Sequence, residues 1–200
     1  MAAHTGTQHR QELSNGMLGF ILFLASEVMF FGGLFAAYFI ARADSPTWPP
    51  ALPADKLAAG VELKVEFALP FIATCLLVLS SVTIQFGVWA IQKGDRSALI
   101  RWLFISIVLG AVFLTMQMYD YSQLPFRADD TVYGTTFFTL TGFHGAHVAG
   151  GIIFMTVIMV RSMAGQFSAS RHEAVEACSF YWHFVDIVWI ALFTTLYIVK

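Results

Sequence analysis

The chain has 200 residues and a formal net charge of -2, and 58% of it is apolar against only 12% charged. Soluble globular domains carry roughly 45–50% apolar and about 25% charged residues. This chain therefore has too few charges to coat a water-facing surface and too many apolar groups to stay disordered. It also has no basic run that would attract nucleic acid. Its expected solvent is a lipid bilayer.

Residues 1–15 are polar and lack the basic start and small-residue cleavage site of a signal peptide. They are read as a retained N-terminal tail, and 16–200 as a single transmembrane unit. A hydrocarbon core of about 30 Å takes roughly 20 apolar residues as a helix. Five stretches meet that length, at about 16–41, 67–91, 99–119, 134–160 and 177–199. Arg42, Glu66, Lys93, Arg101, Asp120, Arg161, Glu176 and Lys200 bracket them, and Trp102, Tyr119, Tyr121, Tyr133 and Tyr197 stand at their ends, where amphipathic rings favour the headgroup layer. The runs are long and do not alternate, so a closed barrel is excluded. The expected fold is an all-α integral membrane bundle of five helices.

An odd number of spans puts the two ends on opposite sides. The two short loops, 92–98 and 161–175, contain Lys93, Arg96, Arg161 and Arg171, with Arg101 and His172 close by. Short basic loops stay inside, so the N-terminus is expected inside and the C-terminus outside. The outer loop 42–66 is the longest. Its Pro46, Trp48-Pro49-Pro50 and Pro53 favour extended and turn conformations, so part of it is expected to lie along the surface. Cys75 and Cys178 fall in or beside apolar segments and read as packing residues.

Ionisable groups in hydrocarbon are costly and mark functional or interhelical sites. Five fall within the spans: Glu27, His144, His147, His183 and Asp186. Glu27 has no basic residue one helical turn away and is expected neutral. Its partner is expected to be His144, His147, His183 or a lipid headgroup. It reads either as a proton-handling carboxyl or as a structural, protonated contact. His183 and Asp186 are three apart and share a helical face, which fits an oriented metal-binding imidazole or two buried polar groups that satisfy one another. His144 and His147 also share a face. On another side of that helix, Gly142, Ala146 and Gly150 form a small-residue stripe, which lets a helix approach closely. No nucleotide loop, hydrolase triad context or CxxC is present, so the chain is not expected to be catalytic by itself.

Three segments carry a family resemblance: Ser26-Glu27-Val28-Met29-Phe30-Phe31 with Tyr38; Val132 to Phe138 running into Thr141-Gly142-Phe143-His144-Gly145-Ala146-His147-Val148; and Tyr181-Trp182-His183-Phe184-Val185-Asp186 with Trp189. Trp48-Pro49-Pro50, Leu79 to Thr83, Gly94-Asp95-Arg96 and Leu124-Pro125-Phe126 fall between them in order. Together they resemble subunit III of the haem–copper cytochrome c oxidases, in the short bacterial form that corresponds to the last five of seven spans. The resemblance implies a multi-pass bacterial cell-membrane subunit without haem, copper or other cofactor of its own. It would pack beside subunits I and II, which carry the haems and copper, in a complex that takes electrons from cytochrome c, reduces oxygen to water and pumps protons. It would support proton uptake and durability of subunit I, and phospholipid would be a further partner.

Two related complexes share the pattern: a quinol oxidase, whose relatives often carry aspartate in place of Glu27, and a nitric oxide reductase. An independent ion transporter built around Glu27 would be expected to show broken helices or an inverted repeat, and the sequence shows neither.

Overall fold

A computed structural model describes residues 14–60 and 66–199. Most of the N-terminal tail, with Arg10, lies outside the described residues, as do Lys64 and Lys200. The described chain is all-helical in its regular structure. The five expected spans are α1 (Asn15–Asp44), α3 (Ala68–Gln92), α4 (Arg96–Gln123), α5 (Val132–Met163) and α6 (Glu173–Phe193), which continues as a π-helical turn, Thr194–Ile198. A short helix, α2 (Ala54–Ala58), interrupts the long loop.

Most helices overrun the apolar stretches read from sequence. At 1.5 Å per residue, the 30 residues of α1 span about 45 Å, more than a hydrocarbon core. Three of the helices, α1, α4 and α5, begin where side chains cap them. Ser14 accepts from Met17 N at 3.2 Å, Asp95 from Ala98 N at 2.9 Å and Thr131 from Gly134 N at 3.0 Å. Each oxygen satisfies an N–H with no intrahelical partner. Hydropathy locates the hydrocarbon, whereas caps locate the helix ends.

Helices α3, α4, α5 and α6 form a ring, each packed on its two neighbours, and α1 lies outside it against α5 and α6. At the centre is Trp182 of α6, 1% exposed. Its Nε1 donates to Ser80 Oγ on α3 at 2.8 Å. A Cβ at Gly110 of α4 or at Gly151 of α5 would come within 2.7 Å of the indole. Both helices therefore need glycine where they clamp that ring. On the same seam Ser106 Oγ bonds Thr83 Oγ1 at 2.7 Å, tying α4 to α3.

The small-residue stripe makes little close contact within this chain. A Cβ at Gly142 would meet nothing within 4 Å and Ala146 is exposed, while Gly150 faces only the Tyr181 hydroxyl, 3.3 Å away. On α5 the tight positions are Gly151, Gly145 against the Gln117 carboxamide, and Gly134 against the Arg127 carbonyl. Two of the aromatic residues assigned to the headgroup layer also move inward. Tyr133 and Tyr197 are buried, whereas Tyr119 is 59% exposed.

Part of the long loop folds back onto the bundle. Trp48 Nε1 donates to the Tyr38 hydroxyl at 3.0 Å, its ring meets Tyr38 and Tyr133 edge-on, and Leu52 is buried. Lys56 of α2 pairs with Asp130 in the α4–α5 turn. The ammonium of Lys56, together with the backbone N–H of Arg127, holds the Asp130 carboxyl below the usual carboxylate range. Both cysteines are free; Cys178 is buried and Cys75 exposed, so the packing reading fits Cys178 only.

Two outcomes are expected. Gly151→Ala drives a Cβ into Trp182 and should destabilise the bundle by about 1–3 kcal/mol in detergent unfolding titrations. Gly142→Ala, with open space around it, should stay within about 0.5 kcal/mol of the parent. Because the Asp130 carboxyl is held low in the fold, its contribution is complete above an unfolded value of about 3.9 and is lost as pH falls through the native value. Amide exchange over 54–58, corrected for intrinsic rates, should therefore rise below about pH 4. Asp130→Asn should show the raised exchange already at pH 7.

Candidate functional site: a carboxyl–imidazole pair in the membrane

Glu27 projects from α1 onto α5, where its Oε2 lies 2.9 Å from His147 Nε2. Of the partners expected from sequence, the fold brings this histidine to it. His147 Nδ1 is 2.7 Å from the Phe143 carbonyl one turn back, an acceptor only, so Nδ1 carries its hydrogen. A hydrogen bond between Nε2 and the carboxyl then needs one further proton between them. Held on oxygen it makes a neutral acid donating to a neutral imidazole; held on nitrogen it makes an ion pair. Both forms are neutral overall, which is how the pair is accommodated in a medium hostile to lone charges.

Aromatic rings enclose the pair. Phe31 meets the His147 ring edge-on at 5.0 Å, Phe30 stacks at 6.2 Å, and Phe143 closes on Phe30 at 5.1 Å. The side chains remain 16% and 20% exposed for His147 and Glu27, so the pair is sheltered rather than sealed. The Tyr181 hydroxyl of α6 donates to the His147 carbonyl at 3.1 Å, which ties the site to the ring.

The remaining candidates are separate from this pair. His144 is fully buried one turn earlier on α5, where Nε2 donates to the Val185 carbonyl of α6 at 3.2 Å and the ring lies against Trp189 at 4.8 Å. His183 and Asp186 share a face of α6, yet they do not bond each other. His183 Nε2 lies 3.3 Å from Gln85 Oε1 on α3. Asp186 looks toward Ser81, but neither its Oδ1 nor Ser81 Oγ reaches a hydrogen bond of normal geometry. Each histidine is committed to a different helix seam. Among the described residues no three His, Cys, Asp or Glu side chains converge as a metal site would require.

The sequence reading missed a second polar cluster. Asp120, assigned there to a span boundary, is 8% exposed inside the last turn of α4, where the Tyr197 hydroxyl donates to its Oδ2 at 3.3 Å. Gln117, one turn earlier, donates to the Thr141 carbonyl at 2.8 Å. The signal was available: Gln117 is an amide in an otherwise apolar run, three residues before a carboxylate.

Beside the apolar face of α1, a groove of about 760 Å³ runs between α1 and α6, lined by residues such as Leu24, Phe31, Phe35 and Ile187, with His183 among them.

Comparison with known proteins matches this chain to one family. The family model for cytochrome c oxidase subunit III matches residues 1–200. A probable cytochrome c oxidase subunit 3 of Nocardia farcinica is 43% identical over 187 residues, covering 92% of this chain and 87% of that protein. Cytochrome c oxidase subunit 3 of Corynebacterium diphtheriae is 41% identical over 92% of this chain and 87% of its own length. The subunit of the same name from Locusta migratoria is 39% identical over 94% of this chain and 71% of its own length. With five apolar helices long enough to cross a bilayer, this multi-pass membrane chain belongs to the cytochrome c oxidase subunit III family.

Proposed function

We propose that the chain is a non-redox subunit of a proton-pumping cytochrome c oxidase in a bacterial cell membrane. It packs on subunits I and II, which hold the haems and copper, and supports proton uptake and durability of subunit I. The observation that carries this reading is the commitment of the membrane histidines: His144 to Val185, His147 to Phe143 and Glu27, and His183 to Gln85. Imidazoles engaged in this way hold helices together. Cytochrome c is the favoured donor over quinol, because the relatives carry cytochrome c oxidase names and Glu27 stands where quinol-type relatives often have aspartate.

The five spans act as one subunit III unit following the N-terminal tail, with the N-terminus inside and the C-terminus outside. The exposed faces of Gly142 and Ala146 fit close contact with a helix of another subunit, since small residues let backbones approach in lipid. Membrane phospholipid covers the remaining apolar faces.

Within this function Glu27 is a structural acid. Its proton is shared with His147, and the pair fastens α1 to the ring. Glu27→Gln keeps size and supplies an N–H that can donate to His147 Nε2, so initial oxygen reduction and proton stoichiometry in vesicles should stay near the parent. Glu27→Leu strands His147 Nε2 at a cost of about 1–3 kcal/mol, and should release the subunit in detergent or shorten the enzyme's working life. Loss of pumping in Glu27→Gln with the subunit still bound would make Glu27 a proton carrier instead. Ala146→Leu should lower the amount of this subunit copurifying with subunit I without unfolding the isolated bundle. Unchanged stoichiometry would remove Ala146 from the contact.

A further inference from the structure

Gln117 and Asp120 are three apart on α4 and share one face, at the end of the bundle that carries the long loop. Both are buried. The donors around them are already engaged. Gln117 Nε2 donates to the Thr141 carbonyl at 2.8 Å and to the Tyr121 hydroxyl at 3.2 Å. Tyr121 donates to Thr141 Oγ1 at 2.7 Å, and Thr141 Oγ1 to the Phe137 carbonyl at 2.6 Å. The Tyr197 hydroxyl is directed at Asp120.

These bonds fix the orientation of the Gln117 amide and leave its Oε1, an acceptor, with no hydrogen-bond partner among the described residues. Gln117, Asp120, Tyr121, Thr141 and Tyr197 also line one small cavity, together with apolar groups that include Pro70 and Trp189. Its room for a water centre is about 10 Å³, close to the minimum for a single water.

We propose that this cavity is a binding site for one water molecule, which donates one hydrogen to Gln117 Oε1 and the other to the Asp120 carboxyl. Water fits the size and the chemistry together, because it supplies one donor to the unpaired amide oxygen and a second to a carboxyl that otherwise accepts from Tyr197. A hydrocarbon chain would be too large and would leave the amide oxygen unpaired. The water bridges two residues of α4 and fills the space between that helix and the wall built by α3, α5 and α6. It also hydrates a buried carboxyl that the proposed role of Glu27 does not involve. The site depends on the fold of this chain and not on its assignment to an oxidase.

The test is an electron-microscopy map of the intact complex containing this chain, at a resolution that shows ordered water. The wild-type map should contain one rounded peak about 2.7–3.2 Å from both Gln117 Oε1 and an Asp120 oxygen. Gln117→Met keeps the volume and removes the acceptor, so the peak should fall to background while the Tyr197–Asp120 contact persists. An empty wild-type cavity, elongated acyl density, or oxygen contacts of about 2.3–2.6 Å typical of a bound cation would each overturn the proposal. So would a peak that survives in Gln117→Met. If that variant fails to assemble, the wild-type map decides alone.

Discussion

The bundle depends on one indole. Trp182 is presented by α6 to three other helices, and each meets it differently: α3 with the Ser80 hydroxyl, α4 with Gly110 and α5 with Gly151. In lipid there is little hydrophobic drive for helices to associate, because the tails outside are as apolar as the side chains inside. Contact area and interhelical hydrogen bonds must supply it. A large flat ring with a single polar hydrogen provides both, provided its neighbours have no side chain in the way. The glycines are therefore a condition of the packing at this point.

The polar groups follow from the same constraint. Most side-chain donors buried between the helices find an acceptor on another helix or one turn back on their own, with the Ser81, Tyr133 and Ser179 hydroxyls as exceptions. Ser106 meets Thr83 between α4 and α3, Gln117 meets Thr141 between α4 and α5, His144 meets Val185 between α5 and α6, and Trp189 meets Thr74 between α6 and α3. These four bonds fasten the four seams of the ring in turn. The ring is thus closed by hydrogen bonds as well as by packing.

Helix α1 stands apart from that closure. Its helix contacts are chiefly with α5 and α6, and much of its surface, including Leu22, Val28 and Met29, is exposed. Its polar ties include Glu27 to His147 near mid-helix, Arg42 to the Val199 carbonyl, and Tyr38 to Trp48 and the Thr195 carbonyl. A carboxyl–imidazole pair suits such a peripheral helix. It is directional and roughly twice as strong as a neutral hydrogen bond when charged, and it stays net neutral wherever the proton sits. The same property that fastens the helix would let the pair hold or pass a proton.

Membrane class, span number and the identity of the out-of-place residues were legible in the sequence, because burial in lipid is a composition rule that acts on every residue independently. Glu27, His144, His147, His183 and Asp186 stand out as polar groups in apolar runs whatever the helices do around them. Helix ends were legible only to within a turn or so, since capping by Asp95 or Thr131 is local chemistry that hydropathy does not weigh. Pairing was not legible. Three histidines were equally available to Glu27, and His183 with Asp186 had the right spacing for a bond they do not make. Nor did small-residue spacing separate Gly142, open on the outside, from Gly151, pressed against Trp182. Those outcomes depend on how each helix is rotated about its axis and which helix lies beside it. Only the simultaneous packing of all five determines that.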